Sequence, residues 1–388
     1  MTAMNCGKLI FAAAEANADI FYKSGFFAPD PFLYVETKEG AAMVVSEMEV
    51  ERARAQRRPA VQVLTFDEAA KAWGLGAATS NDVNLVAALS EKMGIECWEV
   101  PTDFPLGMAY AIQNAYNLRL GTVGENLHFR AMKRFAPERD VKTTAEIQAL
   151  RGGVRLAEAG LAAGLSVLKE SSIQADGGLL WHGEPVTSEL LHGVVNAEIA
   201  RLGGNASHTI IAPGVQGACP HNEGTGLVRA GEPIVFDIFP RDEATGYYGD
   251  LTRTVVKGTA TAQVRQAFEA VREVQRKIVA MLRPGVTGKQ AQEETERLFK
   301  ELGYQTDRKA AVPFGFIHSV GHGLGLDIHE HPCLNLRNES PLAPGNVVTV
   351  EPGLYYPEWG GIRIEDDVVI TEDGCEDLMT VPVQLEIP

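Results

Sequence analysis

Three histidines lie close together in the stretch HSVGHGLGLDIHE. They are His318, His322 and His329, in a chain that has 9 histidines in all. Imidazole is a common metal ligand, and it gives or takes a proton near neutral pH. Glycines on both sides of His322 leave the backbone free to turn tightly around it. The stretch therefore predicts a metal-binding or catalytic loop, provided that acidic side chains reach it.

Four acidic residues that recur at matching intervals could supply those side chains. In AGEPIVFDIF and APGNVVTVEP, Asp237 and Glu351 each come six residues after a glycine, at the end of an apolar run. Asp250 follows Asp237 by thirteen residues, and Glu365 follows Glu351 by fourteen. A repeated pattern of this kind indicates two similar structural halves. We expect each half to consist of two helices followed by a hairpin that carries two carboxylates.

Four carboxylates brought together in this way need cations. Like charges in a partly buried site raise each other's pKa, and bound cations remove that penalty. A single Asp or Glu at a strand end is usually just solvated, but a charge that ends an apolar run is costly without a partner. Four oxygen donors with one imidazole suit Mn, Co, Zn or Fe, and two metals about 3.5–4 Å apart are the usual outcome.

Composition limits the other classes of function. The formal net charge is −16, which argues against nucleic acid or an anionic membrane as partner. The 5 cysteines are scattered without a C-x-x-C pair, so we expect a reducing cytoplasm and neither a disulfide framework nor a zinc knuckle. No apolar run is long enough to span a membrane, and the early run LIFAAA is soon followed by Glu15, which makes a poor signal peptide.

Periodicity predicts two domains, 1–140 and 141–388. The first is a mixed α/β domain, with strands at FLYVET, AAMVVSEME and VQVLTF and a helix at NDVNLVAALSEKMG. The second contains helices that begin at about residues 143, 188, 262 and 287, with strand-rich regions after the second and the fourth. Capping boxes, Thr143 with Glu146 and Thr287 with Gln290, mark two of the helix starts. The fold class is therefore α+β, with a pseudo-twofold repeat in the second domain.

Six short motifs resemble one family of enzymes in both order and spacing. VFDIFP, GDLTRTV, GHGLG, IHEHP, VTVEPGLY and GIRIEDD resemble the pita-bread metallopeptidases, in particular the aminopeptidase P and prolidase branch. The resemblance covers residues 143–388. The region 1–140, with ADIFYKSGF and SEMEVERAR, is similar to the creatinase-like domain that precedes the pita-bread fold in this branch.

The resemblance implies a role for each candidate residue. It implies five metal ligands: Asp237, Asp250, His322, Glu351 and Glu365. Asp250 and Glu365 would bridge two metals, Asp237 would bind one of them, and His322 with Glu351 would bind the other. Manganese is favoured, with cobalt or zinc as alternatives.

The catalytic residues that the resemblance implies are Glu351, His329, His221, His318 and Arg363. Glu351 would accept the proton of the attacking water. His221 or His329 would help to stabilise the oxyanion, and a histidine would protonate the departing proline nitrogen. His329 is favoured over His331, because the two alternate on an expected strand and face opposite ways. A thiol nucleophile at Cys219 beside His221 is disfavoured, since no third group nearby would orient the pair.

The resulting hypothesis is a dinuclear-metal exopeptidase that hydrolyses Xaa-Pro bonds in a proline-containing di- or oligopeptide. An Xaa-Pro dipeptidase (prolidase) is favoured, and an Xaa-Pro aminopeptidase acting on longer peptides is the alternative. A pita-bread protein that only binds peptides is a third possibility, but such a protein would not need the complete ligand set. The resemblance also implies a homodimer, with the N-terminal domain as the contact.

Overall fold

The structure, a computed structural model, describes residues 4–76, 81–124 and 126–388. It divides the chain into two compact units, one ending at Pro137 and the other beginning at Glu138. Among the described helices, none combines the length and the apolarity that crossing a membrane requires.

The first unit is a mixed sheet with helices. Its strands run in the order β4-β3-β2-β1-β5-β6, and β1 pairs antiparallel with β2 but parallel with β5. The predicted strands and the helix that follows Asn81 are confirmed, except that the strand predicted at AAMVVSEME ends at Val44 and does not include its last five residues. The strands are β1 (Cys6–Ala12), β2 (Phe32–Thr37), β3 (Gly40–Val44), β4 (Val61–Leu64), β5 (Cys97–Pro101) and β6 (His128–Met132). The helices are α1 (Ala18–Ser24), α2 (Val50–Gln56), α3 (Phe66–Ala72), α4 (Asp82–Met93) and α5 (Leu106–Leu120).

Four long helices frame the second unit. Both predicted capping boxes are present, because the side chains of Thr143 and Thr287 accept from the backbone of Glu146 and Gln290, whose side chains accept in return. These bonds satisfy backbone donors that a helix start leaves unpaired. The helices are α6 (Thr144–Glu170), α7 (Ser188–Arg201), α8 (Ala262–Met281) and α9 (Gly288–Glu301).

The strands of the second unit form two principal sheets, one for each half of the sequence repeat. Their orders are β11-β12-β14-β22 and β16-β15-β17-β20-β21. The first-half strands are β7 (Ser172–Ile173), β8 (Leu179–Trp181), β9 (Glu184–Pro185), β10 (Gly204–Asn205), β11 (Ile210–Pro213), β12 (Pro233–Ile238), β13 (Arg241–Asp242) and β14 (Leu251–Lys257). The later strands are β15 (Gly321–Gly323), β16 (Glu330–Leu334), β17 (Val347–Val350), β18 (Gly353–Tyr356), β19 (Gly360–Arg363), β20 (Asp366–Ile370), β21 (Cys375–Asp377) and β22 (Glu386–Ile387).

Each sheet packs on its own pair of helices. One apolar core joins α6 and α7 to β12 and β14, and the other joins α8 and α9 to β17 and β20. The acid-bearing strands pair antiparallel as predicted, β12 with β14 and β17 with β20. The second pair is not a simple hairpin, however, because its connection forms a hairpin of its own, β18 with β19. Apolar packing on one side therefore holds both acid-bearing pairs rigidly.

A close approach of backbone fixes the turn before Asp250. Gly249 lies against Gly153 of α6, and a Cβ on either glycine would overlap the backbone of the opposing segment. Glycine is required at such a contact because any side chain would push the two segments apart. The start of β14, and with it Asp250, is thus held directly by the first long helix.

Candidate metal centre

The four predicted acids lie at or near strand ends and line one cavity. Asp237 lies in β12, Asp250 precedes β14, Glu351 follows β17 and Glu365 precedes β20. A backbone bridge between Thr252 and Glu365 joins the two halves of the unit at this point. The cavity has a volume of about 420 Å³, and its lining includes these acids and the predicted site residues His221, His318, His322, His329 and Arg363.

Asp250, His322 and Glu365 form the tightest group. A ligand atom of each lies within 4.8 Å of the others. His322 Nε2 is 3.6 Å from Asp250 Oδ2 and 3.5 Å from Glu351 Oε1. On the far side of the ring, Nδ1 is 3.1 Å from the Gly323 carbonyl, to which it donates. The Nε2 lone pair is therefore directed at the acids, which is the arrangement that a metal-ligating histidine requires.

Two buried carboxylate oxygens of the site lack hydrogen-bond partners. Asp237 Oδ1 and Asp250 Oδ1 are both buried and unpaired among the described residues. A buried carboxylate oxygen without a donor is costly. Divalent cations would satisfy both atoms, and the oxygen-rich donor set with one imidazole suits such cations. The residues present therefore fit a metal centre.

Burial and mutual repulsion oppose ionisation of the acids while no cation is bound. Burial, with Glu365 and Asp237 nearby, raises the pKa of Asp250 well above its usual value. The pKa of Glu365 is raised to about 8, chiefly by burial and then by Asp237, against the opposing effect of Arg363. The pKa of Glu351 is also raised well above the usual value by burial and by Glu365. Cations would reverse these shifts, because they favour the charged form of each acid.

Burial favours the neutral form of His322 and His318. The pKa of His322 is lowered to about 3 by burial and by His329. The pKa of His318 is lowered to about 3 by burial and by Arg363. A neutral imidazole keeps a lone pair with which it can bind a metal or accept a proton.

Arg363 ties the two halves together beneath the acids. Its guanidinium donates to Asp237 Oδ2 at 2.5 Å, to the Tyr355 hydroxyl at 2.8 Å and to Thr252 Oγ1 at 3.1 Å. Thr252 Oγ1 in turn donates to Glu365 Oε2 at 2.6 Å. Arg363 therefore neutralises part of the acidic charge and orients one acid from each half.

A second buried arginine, Arg253, fixes the backbone of Glu365. Arg253 donates to the Glu365 carbonyl at 2.7 Å and to Asp366 Oδ1 at 2.7 Å. Gln275 of α8 donates to the other oxygen of Asp366 at 2.5 Å. This network connects the start of β20, directly after Glu365, to helix α8.

The predicted catalytic histidines surround the acids. His318 Nε2 is 2.8 Å from the Tyr355 hydroxyl, and Nδ1 is 3.8 Å from Glu351 Oε2. The ring of His329 lies edge-on to that of His322, with 4.3 Å between centroids. His221 lines the cavity from an exposed position.

One detail of the histidine prediction is wrong. His329 does not share a strand with His331, because β16 begins at Glu330 and His329 belongs to the preceding turn. His331 is exposed and is not among the residues that line the cavity. The preference for His329 over His331 therefore agrees with the cavity lining, although strand alternation is not the reason.

Sequence reasoning missed Thr252, Tyr355 and Arg253. Thr252 could have been found, because it lies two residues after Asp250, and alternate residues of a strand share a face. Tyr355 and Arg253 act on partners 8 and 112 residues away. The Arg253 contact depends on how the strands pair across the two halves, whereas Tyr355 meets Arg363 within the β18–β19 hairpin.

The chain belongs to metallopeptidase family M24. The family model matches residues 148–372, and the model of the creatinase/prolidase N-terminal domain matches residues 3–125. These matches confirm the predicted fold class of a creatinase-like domain followed by a pita-bread domain.

Relatives of known sequence include named peptidases. The chain is 40% identical over 181 residues to an uncharacterised peptidase of Bacillus subtilis (strain 168) and 39% identical over 174 residues to an Xaa-Pro dipeptidase of Pyrococcus furiosus. These alignments cover 46% and 45% of this chain, and it spans about half of those relatives, 48% and 47% of their lengths. An Xaa-Pro dipeptidase of Pyrococcus horikoshii is 27% identical over 365 residues, covering 93% of this chain and 90% of the relative.

Solved structures show the same fold over 98% of the chain. An Xaa-Pro dipeptidase from Bacillus anthracis superposes with a TM-score of 0.80 and 25% identity, covering 98% of this chain and 95% of that one. An X-Pro aminopeptidase from Thermotoga maritima gives a TM-score of 0.79 at 24% identity, covering 98% and 97%.

We predict that Thr252→Val weakens metal binding by roughly 10- to 100-fold, the usual cost of losing a group that orients a ligand. Valine keeps the shape of threonine but cannot donate to Glu365 or accept from Arg363. The measurement is metal affinity by competition with a chelator. Thr295→Val is the matched control, because Thr295 is buried in α9 and donates only to the Ala291 carbonyl of its own helix. Equal affinity in the two variants would contradict the role of Thr252.

Proposed function

We propose that this protein is a metal-dependent Xaa-Pro peptidase, with the Xaa-Pro dipeptidase reaction favoured. The observation that carries the proposal is the group of Asp250, His322 and Glu365, together with the buried oxygens of Asp237 and Asp250 that lack hydrogen-bond partners among the described residues. The names of the Pyrococcus and B. anthracis relatives support the Xaa-Pro specificity.

The proposed ligands are Asp237, Asp250, His322, Glu351 and Glu365. Two divalent cations bound there would activate a water molecule and polarise the scissile carbonyl. Manganese is the favoured metal. Cobalt and zinc are the alternatives, because all three metals accept mixed oxygen and nitrogen ligands. We assign this chemistry to a catalytic domain over 141–388, preceded by a creatinase-like domain over 1–140.

Glu351 is the proposed general base, and the histidines handle the remaining protons. The Glu351 carboxylate accepts the proton of the attacking water, and His318 lies 3.8 Å from it. His221 and His329 line the same cavity. One would donate a hydrogen bond to the developing oxyanion, and the other would pass the proton that Glu351 took from water to the departing proline nitrogen. Arg363 holds the Asp237 carboxylate in place through its hydrogen bond to Oδ2.

An adjoining cavity favours the dipeptidase over the aminopeptidase. It has a volume of about 370 Å³ and shares His318, Ser319 and Asn335 with the metal cavity. Its lining includes two arginines, of which Arg308 is paired with Glu296 at 2.9 Å. Arg337 is exposed and makes no ion pair among the described residues. A guanidinium in the cavity next to the reacting centre suits the free carboxylate of a dipeptide.

The aminopeptidase reaction remains the second candidate, supported by the similarity to the T. maritima X-Pro aminopeptidase.

We further propose a homodimer in which the two N-terminal domains contact each other. Three exposed apolar side chains on α5, those of Leu106, Tyr110 and Leu118, support that contact. A reducing cytoplasm is the proposed compartment, in keeping with five cysteines that are all free.

Glu351→Gln should abolish turnover and leave most of the bound metal in place. The amide keeps the size and one oxygen donor of the side chain but cannot accept a proton, so a loss of at least 10²-fold in kcat is expected. Activity on Ala-Pro and metal content by atomic emission check this together. Glu358→Gln, at an exposed position of the β18–β19 turn, should keep full activity. Surviving activity in Glu351→Gln would show that the base is another residue.

A matched pair of substrates, Ala-Pro and Ala-Pro-Ala, tests the reaction itself. The protein is stripped with a chelator and resupplied separately with Mn, Co or Zn. We expect metal-dependent release of alanine from Ala-Pro and little from Ala-Pro-Ala. Arg337→Gln should raise the KM for Ala-Pro by roughly 10- to 100-fold, the value of a charge-assisted hydrogen bond, and leave Ala-Pro-amide unaffected.

The control for this experiment is Arg283→Gln, an exposed arginine in the turn after α8. Efficient hydrolysis of Ala-Pro-Ala would identify an aminopeptidase instead. Absence of metal-dependent release from both peptides would contradict the Xaa-Pro proposal.

A further inference from the structure

A buried cluster of charges lies behind the turn that carries His329. The Glu330 side chain is 8% exposed and accepts from two cations. Arg139 Nη2 donates to Oε2 at 2.5 Å, and Lys142 Nζ donates to Oε1. The Lys142 side chain is 2% exposed. A buried carboxylate with two cationic donors is held far more firmly than a surface ion pair.

The turn itself is folded around the Glu330 carboxylate. The backbone N–H of Asp327 donates to Glu330 Oε2 at 3.4 Å, and the Asp327 carboxylate accepts from Arg139 at 2.7 Å. Gly325 passes so close that a Cβ there would overlap the Glu330 carboxylate. The two acids and the two cations balance in charge. The turn 325–330 is therefore bound to Arg139 at two of its residues, the half-exposed Asp327 and the buried Glu330 side chain.

The two cations are themselves fixed to the frame of the metal centre. The backbone N–H of Lys142 donates to the Gly345 carbonyl at 2.8 Å, and Asn346 donates through its side chain to the Asp140 carbonyl at 2.8 Å. Gly345 and Asn346 immediately precede β17, the strand that leads to Glu351. The segment 139–142 thus connects the turn of His329 to the strand of the proposed base.

We propose that Glu330, held by Arg139 and Lys142, is a positioning residue that sets the imidazole of His329 against His322 and the substrate. This inference rests on the proposed function for the role of His329 in turnover. Glu330 follows His329 directly, so the tether on its side chain fixes the backbone from which the imidazole projects. The edge-on contact of the two rings, with centroids 4.3 Å apart, is the geometry that the tether maintains.

A double-mutant cycle on Ala-Pro hydrolysis tests the coupling. Glu330→Gln should lower kcat by about 10- to 100-fold, the cost of a misplaced group, with KM changed much less. In a His329→Ala background the same substitution should have no further effect, because nothing is left to position. Glu376→Gln, which removes an exposed partner of Arg151, is the matched control and should leave kcat unchanged. Equal losses from Glu330→Gln in the two backgrounds would overturn the proposal.

A second measurement tests the proposal without relying on peptide hydrolysis. Histidine-selective NMR labelling reports the ring of His329 in the wild type, in Glu330→Gln and in Glu376→Gln. We expect the His329 signals to shift and broaden only in Glu330→Gln, while the exposed His208 is unchanged in all three. Unchanged His329 signals in a folded Glu330→Gln protein would refute the positioning role. Absence of Ala-Pro hydrolysis in the wild type would contradict the proposed function and leave the NMR result to decide this inference.

Arg139→Lys and Lys142→Arg distinguish the tether from general packing. Each keeps a positive charge beside Glu330, so each should retain most of the kcat that Glu330→Gln loses. If both conservative variants lost as much turnover as Glu330→Gln, the cluster would not act through the charge on Glu330.

Discussion

Repulsion among buried carboxylates is the constraint on which the second unit depends. Asp237, Asp250, Glu351 and Glu365 line one cavity, and the last three have raised pKa values because burial and neighbouring acids oppose their charge. A fold can keep such a group together only if apolar packing holds the strands and if cations complete the site. The apolar packing is visible in the two strand pairs with their helices, and the unpaired oxygens of Asp237 and Asp250 mark where cations would bind.

Different polar residues around the acids hold different parts of the site in place. Arg363 and Thr252 connect the two halves within the site. Arg363, of the second half, contacts Asp237 of the first, and Thr252, of the first half, contacts Glu365 of the second. Arg253 with Asp366 anchors Glu365 to the core, and Glu330 with its two cations anchors the turn of His329. These contacts attach Asp237, Glu365 and the turn of His329 to rigid structure, which keeps them in place without a ligand.

The sequence predicted the parts of the site that lie at repeated spacings. The four acids could be found because each half places them at the same strand ends, and His322 because glycines surround it. The supporting residues could not be found in this way. Arg139 and Glu330 are 191 residues apart, and Arg253 reaches Asp366 across 113 residues. Such partners meet only after the strands have paired, and no local pattern records that pairing. The position of His329 shows the same limit, because a turn replaced the expected strand.

Calorimetric titration of the metal-free protein with Mn²⁺, repeated in buffers of different ionisation enthalpy, tests the central claim most directly. The account predicts two equivalents of metal per chain and a release of protons near pH 7, because acids with raised pKa must ionise as the cations bind. Binding of less than one equivalent, or binding without proton release, would contradict it.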